Sequence, residues 1–234
     1  MEIIDFGIRD YEEVLNLQEE LFEQLIEDKK TGKSGKEYLL VGEHLPVITK
    51  GRRAQDENIL WPLERIKESG IRVYKIGRGG DVTYHCPGQL ILYPILDLER
   101  HHLGVKDYVT LMEETVIKVL QEYGIKGKRV EGASGVWIGK DCRDERKVCA
   151  IGIKCNRFCT MHGLALNVNS NLEGFKMINP CGFHDKGVTS IKEELNIESG
   201  SIEQINIFAV KNKLISLFIE NLPGASVVKT RNKR

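Results

Sequence analysis

Two apolar runs, Ile71 to Ile76 and Leu90 to Leu96, bracket Arg78-Gly79-Gly80-Asp81-Val82-Thr83-Tyr84-His85-Cys86-Pro87-Gly88-Gln89. Both runs read as strands. The stretch between them mixes an Arg, paired glycines, a Thr, a Tyr, a His and a Pro-Gly, which no hydrophobic core requires. A polar loop rich in backbone N–H donors, tied down at both ends by strands, demands a sheet as its scaffold. Binding sites are disproportionately built in this way.

The rest of the chain supplies that scaffold. Val14, Leu17, Leu21, Leu25 and Phe22, Ile26 recur at three and four residues, which predicts a helix over 11–30, with Asp10 and Glu13 at its N-terminal cap. A turn at 31–36 holds Gly-Lys-Ser without the spacing of a phosphate-binding loop. Short strands are expected at 38–41 and 47–50, a loop over 51–62, and a short helix at 63–69 closed by Gly70. Tyr108, Leu111, Met112, Thr115, Val116, Val119 and Leu120 predict a second long helix over 106–123, stopped at Gly124. Apolar runs 134–138, 148–153 and 164–168 read as further strands, with 139–146 as a hairpin connection. Ser190-x-x-Glu193 and Ser201-x-x-Gln204 read as capping boxes, the second opening a helix that runs to about Asn221, before Pro223.

Composition narrows the function class. The 234 residues carry 34 Lys and Arg against 34 Asp and Glu, so net charge offers no argument for nucleic acid or a membrane surface. No run reaches the roughly 18 apolar residues of a membrane span, and Met1-Glu2-Ile3-Ile4-Asp5 lacks the start of a signal peptide, so a cytoplasmic location is expected. In that reducing compartment the six cysteines are free thiols. Their spacing contains no C-x-x-C pair, so no metal site is expected. A single domain over 1–225 is expected, with a basic, disordered tail at 226–234.

One thiol differs from the others. Cys181 lies in Asn179-Pro180-Cys181-Gly182, where Pro and Gly are turn chemistry and a side chain is easily exposed. Read from the residues alone, it is either an inert turn cysteine or a nucleophile, and a partner base would be sought in His162 or His184. A cysteine hydrolase and a thiol or metal-binding module both stay open on this reading. Gly79-Gly80 lets backbone approach a ligand closely, and Thr83, Tyr84 and His85 are placed to orient one.

The polar loop, taken with Lys147-Val148-Cys149-Ala150-Ile151-Gly152, with Met161-His162-Gly163-Leu164-Ala165-Leu166-Asn167-Val168 and with Asn179-Pro180-Cys181-Gly182, resembles the lipoyl(octanoyl) transferases. These belong to the superfamily of biotin and lipoate protein ligases. The resemblance covers roughly residues 10–200, with the four motifs in the family's order. It implies an α+β fold with a mixed, mainly antiparallel sheet core and flanking helices. It implies an acyltransferase that takes octanoyl from the phosphopantetheine of an acyl-carrier protein onto a cysteine thioester. The acyl group then passes to a lysine of lipoyl domains, those of 2-oxoacid dehydrogenase complexes and of the glycine-cleavage H protein. Neither ATP nor metal is implied, and a monomer is expected. The nearest alternative is an ATP-dependent lipoate or biotin-type ligase.

By the same resemblance Cys181 is the nucleophile and Lys147 its activating partner; nothing local marks Lys147 among the other lysines. Arg78, Gly79, Gly80, Asp81, Val82, Thr83, Tyr84 and His85 would line the acyl site with Ala150, Ile151, Gly152, His162, Gly163, Leu164 and Ala165. The small residues among them would leave room for an apolar slot, in which each buried methylene is worth about 0.8 kcal/mol. The family has His-Gly-Pro-Gly where this chain has His85-Cys86-Pro87-Gly88. Cys86 is therefore expected inside the site, as a silent replacement. Lys50, Arg52, Arg53 and Arg78 are expected to form a basic mouth for acidic carrier and lipoyl domains.

Overall fold

The structure is a computed structural model that describes residues 1–141, 144–180, 187–195, 205–225 and 229–232, the last stretch by its backbone. In chain order its elements are β1 (Glu2–Arg9), α1 (Tyr11–Lys30), β2 (Tyr38–His44), β3 (Val47–Lys50), α2 (Leu63–Glu68), β4 (Arg72–Lys75), β5 (Val82–His85), β6 (Gln89–Ile95), α3 (Val105–Gln121), β7 (Lys128–Val130), β8 (Ala133–Ile138), β9 (Arg146–Asn156), β10 (Cys159–Asn167), β11 (Gly187–Val188), α4 (Ile191–Glu194), α5 (Ile207–Asn221) and β12 (Lys229–Asn232).

The large sheet has the order β12-β1-β2-β6-β10-β9-β8-β7, with β11 beside β9. Its centre is antiparallel from β2 through β8. The β1–β2 pair is parallel, because α1 carries the chain back across the sheet between them. This is the mixed, mainly antiparallel α+β architecture implied by the motifs. β6 lies in the middle with every residue buried, and strand alternation divides its side chains between two layers. Leu90 and Leu92 meet Tyr108, Met112 and Val116 of α3 and Val210, Leu214 and Phe218 of α5. Ile91, Tyr93 and Ile95 meet Val14, Phe22, Leu25 and Ile26 of α1. A strand covered on both faces loses the polar alternation of a half-exposed one, which is why Leu90 to Leu96 reads as a continuous apolar run.

A second sheet, β4-β3-β5, stands beside the first with its own small core of Ile48, Ile66, Val82, Tyr84, Cys86, Met177 and Ile178.

The helices form close to where periodicity places them. The Asp10 carboxylate caps α1 by accepting from the Glu12 N–H at 3.0 Å, and Ser190 caps α4 by accepting from the Glu193 N–H. Ser201 and Gln204 lie outside the described residues. α5 instead begins behind Asn206, whose side chain accepts from the N–H groups of Phe208 and Ala209.

Other expectations are corrected. The stretch between the two bracketing strands is not all loop, because Val82–His85 pairs antiparallel with β3 as β5. β1 and β7 form where no strand is expected. Lys229–Asn232, expected as disordered tail, runs parallel to β1 as β12, where the outer edge of β1 offers unpaired backbone groups.

Candidate active site

Pro94 explains much of the site. It sits within the central strand β6 and has no N–H to give to a neighbour. The β6–β10 ladder accordingly runs from Gln89↔Asn167 to Leu92↔Leu164 and stops. Beyond it the Thr160 hydroxyl bridges the gap, donating to the Pro94 carbonyl at 3.0 Å and accepting from the Leu96 N–H at 3.2 Å. Extended past Leu164, the register brings His162 opposite Pro94, and there the β10 backbone turns to φ +59°. Strict alternation would send His162 away from the α1 layer that takes Met161. Instead its N–H donates to Gln18 Oε1 of α1 at 3.0 Å, and its ring meets Tyr93 edge-on at 6.3 Å. At the next residue a Cβ on Gly163 would lie 2.2 Å from the Leu92 carbonyl oxygen, so only glycine fits.

A cavity lies beside this turn, between the two sheets. Its floor is Ala150 and Gly152 of β9 with their register partners Ala165 and Gly163 of β10. Ile151 and Leu164 complete those strand segments. Lys147 lies five residues before Gly152, about 16 Å along the strand at roughly 3.3 Å per residue.

The far wall is the glycine-rich strap over 78–81. The Gly79 N–H donates to the Ile153 carbonyl at 2.7 Å, on the β9 edge beyond the reach of β8. Gly80, Asp81, Val82, Thr83 and His85 line the cavity. Gly79 lies behind it, on an adjoining groove that shares Lys147 and Gly152. Tyr84 does not line it either. Alternation turns that ring into the small core, edge-on to Phe175 at 5.5 Å.

Arg78 lines the cavity but is not part of an exposed basic mouth, as it is 8% exposed. Its guanidinium donates to the Thr49 carbonyl at 2.8 Å, the Thr49 hydroxyl at 2.9 Å and the Gly79 carbonyl at 2.9 Å. Lys50, expected beside it, pairs with Asp56. Arg52 and Arg53 are exposed. The fixed charge of Arg78 acts on the histidines. Burial first, then repulsion from Arg78 and Lys154, pushes His162 down to about 3. Burial and the neighbouring His44, Arg78 and His162 push His85 down to about 3, against its hydrogen bond to Gln89. Both rings are neutral at pH 7. Gln89 spends its NH₂ on Asn167 Oδ1 and the Tyr84 carbonyl, so its Oε1 accepts from His85 Nδ1–H at 2.7 Å. His85 Nε2 is therefore an acceptor. The buried His162 Nε2 has no partner among the described residues.

Lys147 is buried, with Nζ 4.5 Å from the centroid of the Trp137 ring. Its backbone is held between Trp137 of β8 and Val188 of β11. Pro180 lines the cavity, but Cys181 and His184 lie outside the described residues. Cys86 is not in the cavity. It packs in the small core, 3% exposed, where burial pushes its thiol up to about 11. Cys149 and Cys159 are buried as well. Among the described residues no three His, Cys, Asp or Glu side chains gather as a metal site, and no helix is long and apolar enough to cross a membrane.

Four lining residues have no counterpart in the motif reading: Tyr11, Tyr93, Phe175 and Val188. Strand alternation within β6 is a signal for Tyr93. Tyr11, at the start of α1, stacks on His85 at 6.0 Å and carries no sequence signal for that contact.

A mixed sheet with a glycine-rich strap closing a slot floored by small residues defines a protein of the lipoate and biotin ligase fold. The chain belongs to the family of the lipoyl protein ligase A/B catalytic domain, whose model matches residues 10–219. Within it, the chain is 46% identical over 217 residues to an octanoyltransferase of Parabacteroides distasonis, covering 92% of this chain and 96% of that one. It is 45% identical to an octanoyltransferase of Bacteroides fragilis, covering 90% and 92%. The fold is similar to that of a bi-partite lipoate protein ligase from Thermoplasma acidophilum, with a TM-score of 0.67 at 16% identity over 97% of this chain and 87% of that one.

Proposed function

We propose that the chain is an octanoyltransferase that moves octanoyl from an acyl-carrier protein to a lysine of lipoyl domains. The carrying observation is the 46% identity to a named octanoyltransferase over nearly the full length of both chains. The cavity supports it, with four small residues as an apolar floor and a buried lysine toward one end.

In this reading Cys181 is the nucleophile and Lys147 its partner. An ordinary thiol, near pKa 8.5, is only a few per cent thiolate at neutral pH, and an adjacent ammonium favours the thiolate. The Cys181 thiolate attacks the carrier thioester. A new C–S bond forms as the carrier's C–S bond breaks, and the Lys147 ammonium gives its proton to the departing thiolate. The neutral amine of the acceptor lysine then attacks the acyl-enzyme. A C–N bond forms, the C–S bond to Cys181 breaks, and the Lys147 amine takes the proton released. The two steps return thiolate and ammonium to their starting states. In this reading Arg78, fixed at the cavity wall, supplies positive potential where the carbonyl oxygen gains charge. A thioester is already activated, so the exchange asks for neither ATP nor metal. A reduced thiol fits a cytoplasmic setting.

The test is incubation with octanoyl-acyl-carrier protein in the absence of ATP, followed by intact mass and peptide mapping. One octanoyl adduct on Cys181, discharged by a lipoyl domain, is the expected result. Transfer that appears only with ATP and free octanoate would make the chain a ligase, like its fold neighbours.

A further inference from the structure

Asn58 lies in the segment 51–62, which joins β3 to α2 and carries no motif. It is 6% exposed, and its side chain is bonded at both ends. Its main-chain carbonyl accepts from the Asn179 N–H at 2.8 Å, and its Oδ1 accepts from Asn179 Nδ2 at 3.2 Å. With Oδ1 so engaged, the Asn58 NH₂ donates to Asp81 Oδ2. The other Asp81 oxygen accepts from the N–H groups of Val82, at 2.8 Å, and Gln55, at 3.3 Å. The same two segments also meet through an Ile59↔Ile178 bridge and a Leu60 N–H to Met177 carbonyl bond of 2.9 Å. Asp81 belongs to the glycine-rich strap, and Asn179 is two residues ahead of Cys181.

We propose that Asn58 is a positioning residue for the acyl transfer. It holds the Asn179–Pro180 segment against the strap through an Asp81–Asn58–Asn179 chain, so that the chain enters Cys181 from a fixed point beside the acyl cavity. The inference rests on the reading of Cys181 as nucleophile. An amide at position 58 meets both ends: its oxygen accepts from the Asn179 carboxamide while its NH₂ donates to the Asp81 carboxylate. Fixing the entry to a nucleophile lowers the barrier of the chemical step rather than tightening substrate binding.

The experiment measures the rate of octanoyl adduct formation on Cys181 against donor concentration, by intact mass, in the full chain. Asn58→Asp keeps the acceptor facing Asn179 and sets a second carboxylate against Asp81. The maximal acylation rate should fall about tenfold or more, with the half-saturating donor concentration unchanged. Exchanging the pair, Asn58→Asp with Asp81→Asn, turns the bond round: the amide at 81 donates to the carboxylate at 58, and every other bond keeps its acceptor. The exchange should recover most of the rate, which a general loss of packing would not predict. Should Asn58→Asp lose its cooperative thermal transition, the exchanged pair is compared with Asn58→Leu instead, and recovery above that variant supports the proposal. An Asn58→Asp enzyme that acylates at the unsubstituted rate, or an exchanged pair no faster than its single-variant comparator, overturns this proposal alone. An unsubstituted protein that never carries octanoyl on Cys181 overturns it together with the reading it rests on.

Discussion

Gly152 and Gly79 touch backbone to backbone: a Cβ built on Gly152 would lie 2.8 Å from the Gly79 carbonyl oxygen and 3.1 Å from Arg78 Cδ. The strap seats on β9 because neither Gly152 nor Gly79 has a side chain at that contact. Gly152→Ala should push the strap and Arg78 outward and reduce acyl transfer. Gly163→Ala meets the Leu92 carbonyl of the central strand instead, and should cost stability, about 1–3 kcal/mol in urea unfolding. A Gly152→Ala enzyme with unchanged acylation would show that the strap need not seat on β9.

Ala150 faces Ala165 across the cavity floor. Ala150→Phe should shorten the slot while leaving the melting temperature nearly unchanged, since Ala150 is only half-buried. Competition between octanoyl and butyryl donors reads the effect. The preference should move toward the shorter chain, and an unaltered ratio would place the acyl chain elsewhere.

Lys147→Met should preserve the fold, since the aliphatic chain still covers Trp137. Acyl transfer should fall by about a hundredfold or more, within the usual range for a lost proton-transfer group. The pH needed for alkylation of Cys181 by iodoacetamide should rise. An identical alkylation profile would separate Lys147 from thiol activation. Cys181→Ala should abolish the adduct, whereas Cys86→Gly should stay active, because the Cys86 thiol packs in the small core rather than in the cavity.

The buried His101 and Glu37 join the start of β2 to the end of α5. His101 Nε2 lies 3.1 Å from Glu37 Oε1, and His101 Nδ1 lies 2.7 Å from the Pro223 carbonyl. Burial pulls the imidazolium down, but the bonds to Glu37 and Pro223 outweigh it and the His101 pKa is raised. Burial raises the Glu37 carboxyl, but His101, the Asp97 N–H and Arg100 outweigh it and its pKa is lowered. The histidine's contribution is full below its unfolded pKa of about 6.5 and is lost as pH rises through its higher folded value. The glutamate's contribution is full above about 4.3 and is lost as pH falls through its lower folded value. The pair therefore stabilises most between about pH 4.5 and 6.5. His101→Leu should cost roughly 3–5 kcal/mol near pH 5.5 and less at pH 9. Equal losses at both values would mean that His101 is never charged.

His44, His85 and His162 act in the opposite direction, with burial as the first cause holding them near about 4, about 3 and about 3. Each is neutral in the fold and takes a proton on unfolding below about pH 6.5. Their contribution is full above that value and declines as pH falls toward the folded values. Three such groups imply a slope of up to roughly 4 kcal/mol per pH unit around pH 5. Urea unfolding at pH 7, 6 and 5 reads it, and His85→Gln should flatten the slope by about a third.

Sequence patterning made the long elements legible. α1, α3 and the central strands follow from periods of 3.6 and 2, because one helical stripe or both strand faces are buried. The smaller strands were less so. β5 hides its apolar residues, Val82 and Tyr84, among polar ones because its other face lines a cavity. β1 and β12 owe their pairing to neighbours distant in the chain, and β7 is a three-residue strand paired only with β8. The site motifs could be read as motifs, yet membership in a motif did not say which way a side chain points. Tyr84 and Cys86 lie within the same run as Thr83 and His85 and face the small core.

The sequence by itself determined the family through its four motifs, the layered α+β core through what that resemblance implies, and the small residues at Ala150, Gly152, Gly163 and Ala165, which stand within the motifs. Only the tertiary structure decided that Pro94 interrupts the β6–β10 ladder, that His162 turns into the α1 layer at φ +59°, that Arg78 is buried on Thr49 and that Asn58 joins Asp81 to Asn179. Each of these is a contact between residues distant in the chain. Hydrogen-bond geometry and the need to satisfy buried polar groups choose such partners, and neither is written in the spacing of residues along the chain.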